Sequence, residues 1–326
     1  MKNKSIFIFF SLFTIIVSLS GCKEERFQRS EGMVWNTVYH ITYKGAPLFE
    51  DSVLNVMSQV SESLNVFDST SLVSQLNLYE KIKADQNLIT VYSASKKINS
   101  ISNRKFDPTL SPLITAWGFG LGHKPTADTL AIDSILRFVG IEKTRLEGDT
   151  IYKDDIRTRF NFSAIAKGYG CDAIGEMFKR NGINDFMVEI GGEVSLSGKS
   201  PSGRLWKIAI DAPKEDMDPG TESALVIELT DAGIATSGNY RNFRDENGKK
   251  LAHTISVETG RPYLSEILSA TVVAKDCMTA DGLATACMAS TVEEARRILE
   301  ECEAEGLLIF NDSVWMTPGF KKFIVE

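Results

Sequence analysis

The order of patterned segments predicts an α+β fold: antiparallel sheet with helices packed against it. Three observations carry that reading. Short runs of alternating or β-branched residues dominate the second half of the chain, single helical periodicities interrupt them, and the two kinds do not alternate as a doubly wound parallel fold requires. The composition of the 326 residues, 43% hydrophobic and 24% charged, is that of a folded chain and excludes a disordered, collagenous or polytopic membrane protein. The length suits one large domain or two intimate lobes with a substantial buried core.

The chain opens with Lys2 and Lys4, an apolar run from Ile6 to Val17, then Leu19-Ser20-Gly21-Cys22. A basic start, a short apolar stretch and small residues at the cut form a secretory signal. The run is well short of the ~20 residues that span a bilayer. The Leu-Ser-Gly-Cys ending resembles a bacterial lipobox, which implies cleavage before Cys22 and lipidation of its thiol; a plain secretory signal with an incidental cysteine is the alternative. The expected organisation is a signal peptide over 1–21, a hydrophilic tether with lipidated Cys22 over 22–31, and a globular body over 32–326. That places the protein in the bacterial cell envelope, lipid-anchored to a membrane on the extracytoplasmic side. Loss of Lys2 and Lys4 takes the formal charge from −7 to −9.

In the body, Thr37 to Tyr43 alternates as a first strand. Leu54, Met57, Val60, Ser61 and Leu64 share a helical face, Val91–Ile101 reads as a second helix, and Ile132, Ile135, Leu136 and Val139 mark another. Strands are expected around Arg157–Phe162, Phe186–Ile190, Trp206–Ile210, Leu225–Leu229 and Ser269–Ala274. Helices are expected near Ala166–Lys179, Thr279–Met288 and Val292–Cys302. Segment 214–222, rich in Asp, Pro and Gly, reads as a surface loop.

Charge and residue usage narrow the function. With 36 Lys plus Arg against 43 Asp plus Glu and no basic stripe, nucleic acid is not the expected partner. Three histidines argue against a multi-histidine metal site, and the four cysteines after Cys22 form no Cys-x-x-Cys pair, so buried free thiols are expected, with one disulfide open in an oxidising compartment.

Five small constellations carry candidate chemistry, each with a plain structural alternative. Phe106-Asp107-Pro108-Thr109 precedes Trp117-Gly118-Phe119-Gly120: Asp107 is a candidate helix cap, and the two aromatics are candidates to stack on a flat ring, or else core residues. Asn161 to Tyr169 runs from strand to helix, where free backbone N–H groups and the Lys167 point charge suit an anion; a capped surface helix is the alternative. Gly191-Gly192-Glu193 allows close backbone approach to a ligand, or is a tight turn. Ala235-Thr236-Ser237-Gly238 and Thr259-Gly260-Arg261-Pro262 bracket His253, which either moves a proton or is structural. Asp281 and Thr285, four apart, put a carboxylate and a hydroxyl on one helical face; with a carbonyl, waters and phosphate they suit Mg2+ far better than Zn2+, unless Asp281 is only a helix cap.

In order and spacing, these segments together with Ala166-Lys167-Gly168-Tyr169 and Ala280 to Thr285 resemble the FAD:protein FMN transferase (ApbE) family of flavin-transfer lipoproteins. The resemblance runs from about Gly32 to Met288 and implies an ApbE-like, T-fold-like α+β architecture with a flavin site in a cleft between two lobes. It implies an enzyme that takes FAD and Mg2+, moves FMN onto a Thr or Ser hydroxyl of an acceptor flavoprotein and releases AMP. Two departures stand out: Trp35 replaces the family's usual methionine in Trp35-Asn36-Thr37-Val38-Tyr39, and Asn161 stands where an acidic residue is common. The family's cofactor contacts carry over to Trp35, Trp117, Gly118, Phe119, Asn161, Lys167 and Ile255. The metal position carries over to the Ala164 carbonyl and the side chains of Asp281 and Thr285. His253 is the candidate base, with Asp281 behind it. Acceptor subunits of membrane redox complexes are the implied partners. Mg2+-dependent FAD hydrolysis to FMN and AMP, and non-catalytic FAD binding by a lipoprotein, are the alternatives.

Overall fold

The computed structural model describes residues 26–47, 50–119, 129–211, 223–238, 243–246, 249–252 and 254–325. Cys22 and His253 therefore lie outside the described residues, as does the whole loop expected at 214–222.

The strands are β1 (Phe27–Val34), β2 (Thr37–Lys44), β3 (Lys81–Lys83), β4 (Thr144–Glu147), β5 (Thr150–Lys153), β6 (Phe186–Ile190), β7 (Glu193–Ser197), β8 (Trp206–Asp211), β9 (Ser223–Leu229), β10 (Ala232–Gly238), β11 (Phe243–Glu246), β12 (Lys249–Ala252), β13 (Ser269–Ala274), β14 (Glu305–Ile309), β15 (Val314–Met316) and β16 (Ile324–Val325). The helices are α1 (Glu50–Leu64), α2 (Leu72–Leu78), α3 (Gln86–Ile101), α4 (Ser111–Ala116), α5 (Thr129–Leu136), α6 (Ala166–Arg180), α7 (Cys277–Met288) and α8 (Val292–Glu301).

An eight-stranded sheet, in the order β1-β2-β6-β7-β10-β13-β14-β15 and antiparallel throughout, forms the backbone of the molecule. Helices α6 and α7 lie on one face, with α1 and α3 packed on them. Strands β16, β9 and β8 form a second sheet against the other face, where Val194, Leu196, Ile234, Val273 and Leu307 meet Trp206, Ile227, Leu229 and Phe320. This double cover explains β13. Its six residues are all buried because Val272 and Ala270 point to the helices while Val273 points to the small sheet, so the strand reads as a continuous apolar run. The α+β class read from the sequence is what the chain adopts.

Three expectations are corrected. The segment expected to be a tether up to residue 31 already belongs to the sheet from Phe27, because Trp35 and Asn36, at φ 49° and 61°, make a two-residue hairpin turn that pairs all of β1 with β2. The strand expected around Arg157–Phe162 is irregular apart from a single bridge between Leu110 and Arg159. Asp107 does not cap α4, which begins after Leu110. Its buried carboxylate accepts from Thr109 N (2.8 Å), Thr109 Oγ1 (2.6 Å) and Ile141 N (3.1 Å), clamping the turn after α3 to the segment before β4.

Candidate active site

The site is assembled where α6 begins. Its N-cap residue, Ile165, has no side chain able to cap, so the first turn must find acceptors elsewhere. Asp281, in the second turn of α7, supplies one: its Oδ2 accepts from Gly168 N at 3.0 Å. Asp276 is the actual cap of α7, accepting from Thr279 N at 2.8 Å, which leaves Asp281 inside the helix and free to reach across. One turn further, Thr285 Oγ1 donates to the Ala164 carbonyl at 3.5 Å and stands 3.4 Å from Ser237 Oγ on β10. A carboxylate, a hydroxyl and a carbonyl thus converge on the mouth of α6, as the i, i+4 spacing of Asp281 and Thr285 predicts.

Lys167 is ion-paired with Glu193, which the Gly191-Gly192 turn (φ +63° and +100°) places at the start of β7. The paired glycines are thus a hairpin turn, and the informative residue is the glutamate after them. Burial and the neighbouring Asp281 push the Glu193 carboxyl up to about 8, while Lys167 opposes both. Burial likewise raises Asp281, against the pull of Lys167 and the Gly168 N–H. For Lys167 burial works against the charge, but Glu193 and Asp281 outweigh it and hold the ammonium above the ordinary lysine value. Two buried acids share one cation.

Beside Lys167 opens a cavity of about 540 Å3, bounded also by Trp35, Asn36, Ser61, Asn65 and Phe67, within the size range of small-molecule sites. Trp35 Nε1 donates to Ser61 Oγ at 2.7 Å. Its ring lies on α6 at Gly170, where a Cβ would come within 2.7 Å of ring carbon Cζ3. Phe67, exposed to 69%, offers a second aromatic at this cavity, and neither it nor Ser61 was singled out from the sequence as a ligand contact. A lone aromatic in a polar loop carries no periodic signal. Asn161 turns its Oδ1 to Ser163 N (2.9 Å) and Ser163 Oγ (2.6 Å), shaping the approach to α6.

The remaining predicted residues gather in a separate cluster. Gly118, at φ +76°, ends α4 in a Schellman motif, with Phe119 N donating to Ile114 O and Gly118 N to Thr115 O. Trp117 Nε1 donates to Gly260 O at 2.7 Å, and Trp117 and Phe119 pack with Ile255, Leu113 and Ile132. Trp117, Gly118, Phe119 and Ile255 are therefore brought together, but the cavity at Lys167 is not lined by them. A larger groove of about 740 Å3 beside α6 contains none of the predicted site residues.

The donor set at the α6 mouth consists of oxygens alone. Among the described residues no three His, Cys, Asp or Glu side chains cluster, which does not suit zinc. One carboxylate with neutral oxygens suits a hard cation completed by water and phosphate. The residues present fit Mg2+.

The ApbE family profile matches residues 35–308. The FAD:protein FMN transferase of Vibrio cholerae is 33% identical over 322 residues, covering 94% of each chain, and that of Haemophilus influenzae is 30% identical over 328 residues, again 94% of each. The solved flavin transferase ApbE from Vibrio cholerae superposes with a TM-score of 0.81 at 30% identity, covering 92% of this chain and 99% of that one. The apo flavinyl transferase ApbE of Pseudomonas stutzeri shares the fold, with a TM-score of 0.82 at 24% identity, covering 92% of this chain and 97% of that one. With its sequence matched over most of its length and its fold shared, this chain belongs to the ApbE family.

Proposed function

We propose that this chain moves the FMN half of FAD onto a Thr or Ser hydroxyl of an acceptor flavoprotein, with Mg2+ present, and releases AMP. The carrying observation is that Thr285 Oγ1 reaches the Ala164 carbonyl and the Asp281 carboxylate reaches Gly168 N at the start of α6, whose Lys167 lines the adjoining cavity. The flavin transferase names of the relatives support the same reading.

Asp281, Thr285 and the Ala164 carbonyl would hold the Mg2+, which supplies neutralisation of the diphosphate when bound. Lys167 places an ammonium on a phosphate oxygen where charge builds as the P–O bond to AMP breaks. Glu193 keeps that ammonium charged and fixes its direction. Trp35 and Phe67 bound the cavity that receives the flat part of the substrate. His253 is the base that takes the proton from the incoming hydroxyl. Cys22 carries a lipid anchor that keeps the enzyme on the extracytoplasmic membrane surface, beside acceptor subunits of membrane redox complexes.

The test uses the full chain with FAD, Mg2+ and a protein bearing a candidate acceptor hydroxyl, following AMP release and covalent flavin fluorescence on a denaturing gel. A fluorescent acceptor band with equimolar AMP is expected. AMP without a band would assign hydrolysis instead, and FAD binding with neither product would overturn catalysis.

A further inference from the structure

The interface that carries Gly168 and Asp281 holds two thiols for which the proposed reaction has no use. Cys171 lies four residues after Lys167 on α6, and Cys277 lies four before Asp281 on α7, so each sits one helical turn from a residue of the site. Both are fully buried in one apolar cluster with Ile174 and Ile190. Two independent features bring the sulfurs together. Cys171 Sγ donates to Glu193 O at 3.2 Å and Cys277 Sγ to Ile234 O at 3.5 Å. Those carbonyls belong to β7 and β10, which pair with Val194 opposite Ile234, so the two anchoring points are one strand spacing apart. The helices also cross with bare backbone in contact, since a Cβ on Gly168 would come within 2.8 Å of the Cys277 carbonyl carbon. Asp172, next in sequence to Cys171, accepts from Cys277 N (3.0 Å) and Met278 N (2.8 Å), so the first turn of α7 is already clamped to the middle of α6 at this level.

We propose that Cys171 and Cys277 are a disulfide site that ties α6 to α7 directly behind Lys167 and Asp281. The thiols are in contact range, their carrying helices are clamped on both sides, and the bond closes a long loop of chain between residues 171 and 277. With a small disulfide such as oxidised glutathione as the oxidant, one thiolate attacks the glutathione disulfide and expels one glutathione thiol. The second protein thiolate then attacks the mixed disulfide and expels the other, so that two protein thiols and one oxidised glutathione become one protein disulfide and two glutathione thiols. Burial holds both thiols in the protonated, unreactive form, so exchange occurs during folding or on local opening of the helix pair. Such a bond persists in an oxidising compartment, which is where the proposed export would place the chain.

The experiment is independent of flavin chemistry. The full chain is equilibrated with oxidised glutathione, free thiols are alkylated in denaturant, and the unreduced digest is mapped by mass spectrometry. The expected result is a linked pair of peptides containing Cys171 and Cys277, two hydrogen masses lighter than the reduced sum. The thermal midpoint of the oxidised chain should also lie about 5–10 °C above that of the reduced chain, a difference absent from a Cys171→Ala variant. Complete alkylation of both residues overturns the proposal, as does a link joining Cys287 to Cys302 instead, or a midpoint insensitive to reduction.

Discussion

Gly168→Ala tests the site through its geometry without altering any chemical group in it. In the first turn of α6 an alanine would ordinarily help, by up to about 1 kcal/mol of helix propensity. Here the new methyl would lie 2.8 Å from Asp281 Cβ and 2.8 Å from the Cys277 carbonyl carbon, and closer still to the Cys277 carbonyl oxygen. Comfortable contact begins near 3.4 Å, so the helices must part by at least 3.4 − 2.8, about 0.6 Å, and the obstacles are mostly backbone, which cannot rotate aside. Overpacking of this kind costs about 1–3 kcal/mol. Lengthening the 3.0 Å bond from Gly168 N to the Asp281 carboxylate adds about 1–2 kcal/mol, because the acceptor is buried and charged. Set against the propensity gain, the net loss is about 1–4 kcal/mol. A shift approaching 1 Å between Lys167 and Asp281 should slow AMP release about 100-fold. Urea titration and FAD turnover with saturating Mg2+ measure the two effects. Gly182→Ala is the control: at φ +78° with nothing within 4 Å it should lose about 1 kcal/mol of stability and keep full turnover. If Gly168→Ala unfolded at the wild-type midpoint and released AMP at the wild-type rate, the close crossing of α6 and α7 would have no part in building the site.

Three further outcomes follow from the same contacts. Asp281→Asn keeps an oxygen for Gly168 N but removes one of two buried acids, so calorimetry should show Mg2+ binding lost while the urea midpoint does not fall. Lys167→Met leaves Glu193 buried without its cation and should cost about 2–3 kcal/mol, much of which Glu193→Gln in the same chain should recover; a double-mutant cycle with no coupling would refute the pairing. Lys153, buried with its ammonium donating to Ile156 O (3.2 Å) and Thr158 O (3.0 Å), has its pKa pushed down to about 8 by burial and by Arg159. Its folded pKa lies below its unfolded one, so the unfolded chain holds more protons between about pH 8 and 10.5 and stability rises with pH across that window. Lys153→Met should abolish that slope, read as urea midpoints at three pH values.

Where the sequence was legible, a local rule and the tertiary environment agreed. Phe186–Ile190 alternates because only one of its faces meets the helices, and α8 announces itself by a capping box between Thr291 and Glu294. The Asp281–Thr285 pair was readable because helical spacing alone puts two oxygens on one face. What failed depended on partners distant in sequence. Segment 157–162 has strand-like composition, yet its hydrogen bonds go to Asn77 from Phe160 and to Pro108 from Asn161, not to a neighbouring strand. The pairing of β1 was hidden because its exposed side mixes Arg29 and Glu31 with Met33 and its other side is only partly buried. Glu193 was seen as the tail of a glycine motif, since nothing in one dimension shows that Lys167 will arrive opposite it.

That arrival explains how the site is held before any ligand binds. A buried carboxylate is tolerable only when hydrogen-bonded or paired, and Asp281 and Glu193 each need relief while a single ammonium stands between them. Gly168 N relieves Asp281 in part, and Lys167 favours Glu193, with which it makes direct contact. Neither acid is fully relieved, and both stand at the beginning of a helix whose dipole and N–H groups themselves favour anions. A cation held at Asp281, as proposed, would relieve the α7 side and leave Lys167 to face the cavity. Under the proposed function the same residues would distinguish a metal-loaded diphosphate from a bare one: without the metal the phosphates would meet two acids, and with it an ammonium, a divalent charge and the open end of α6.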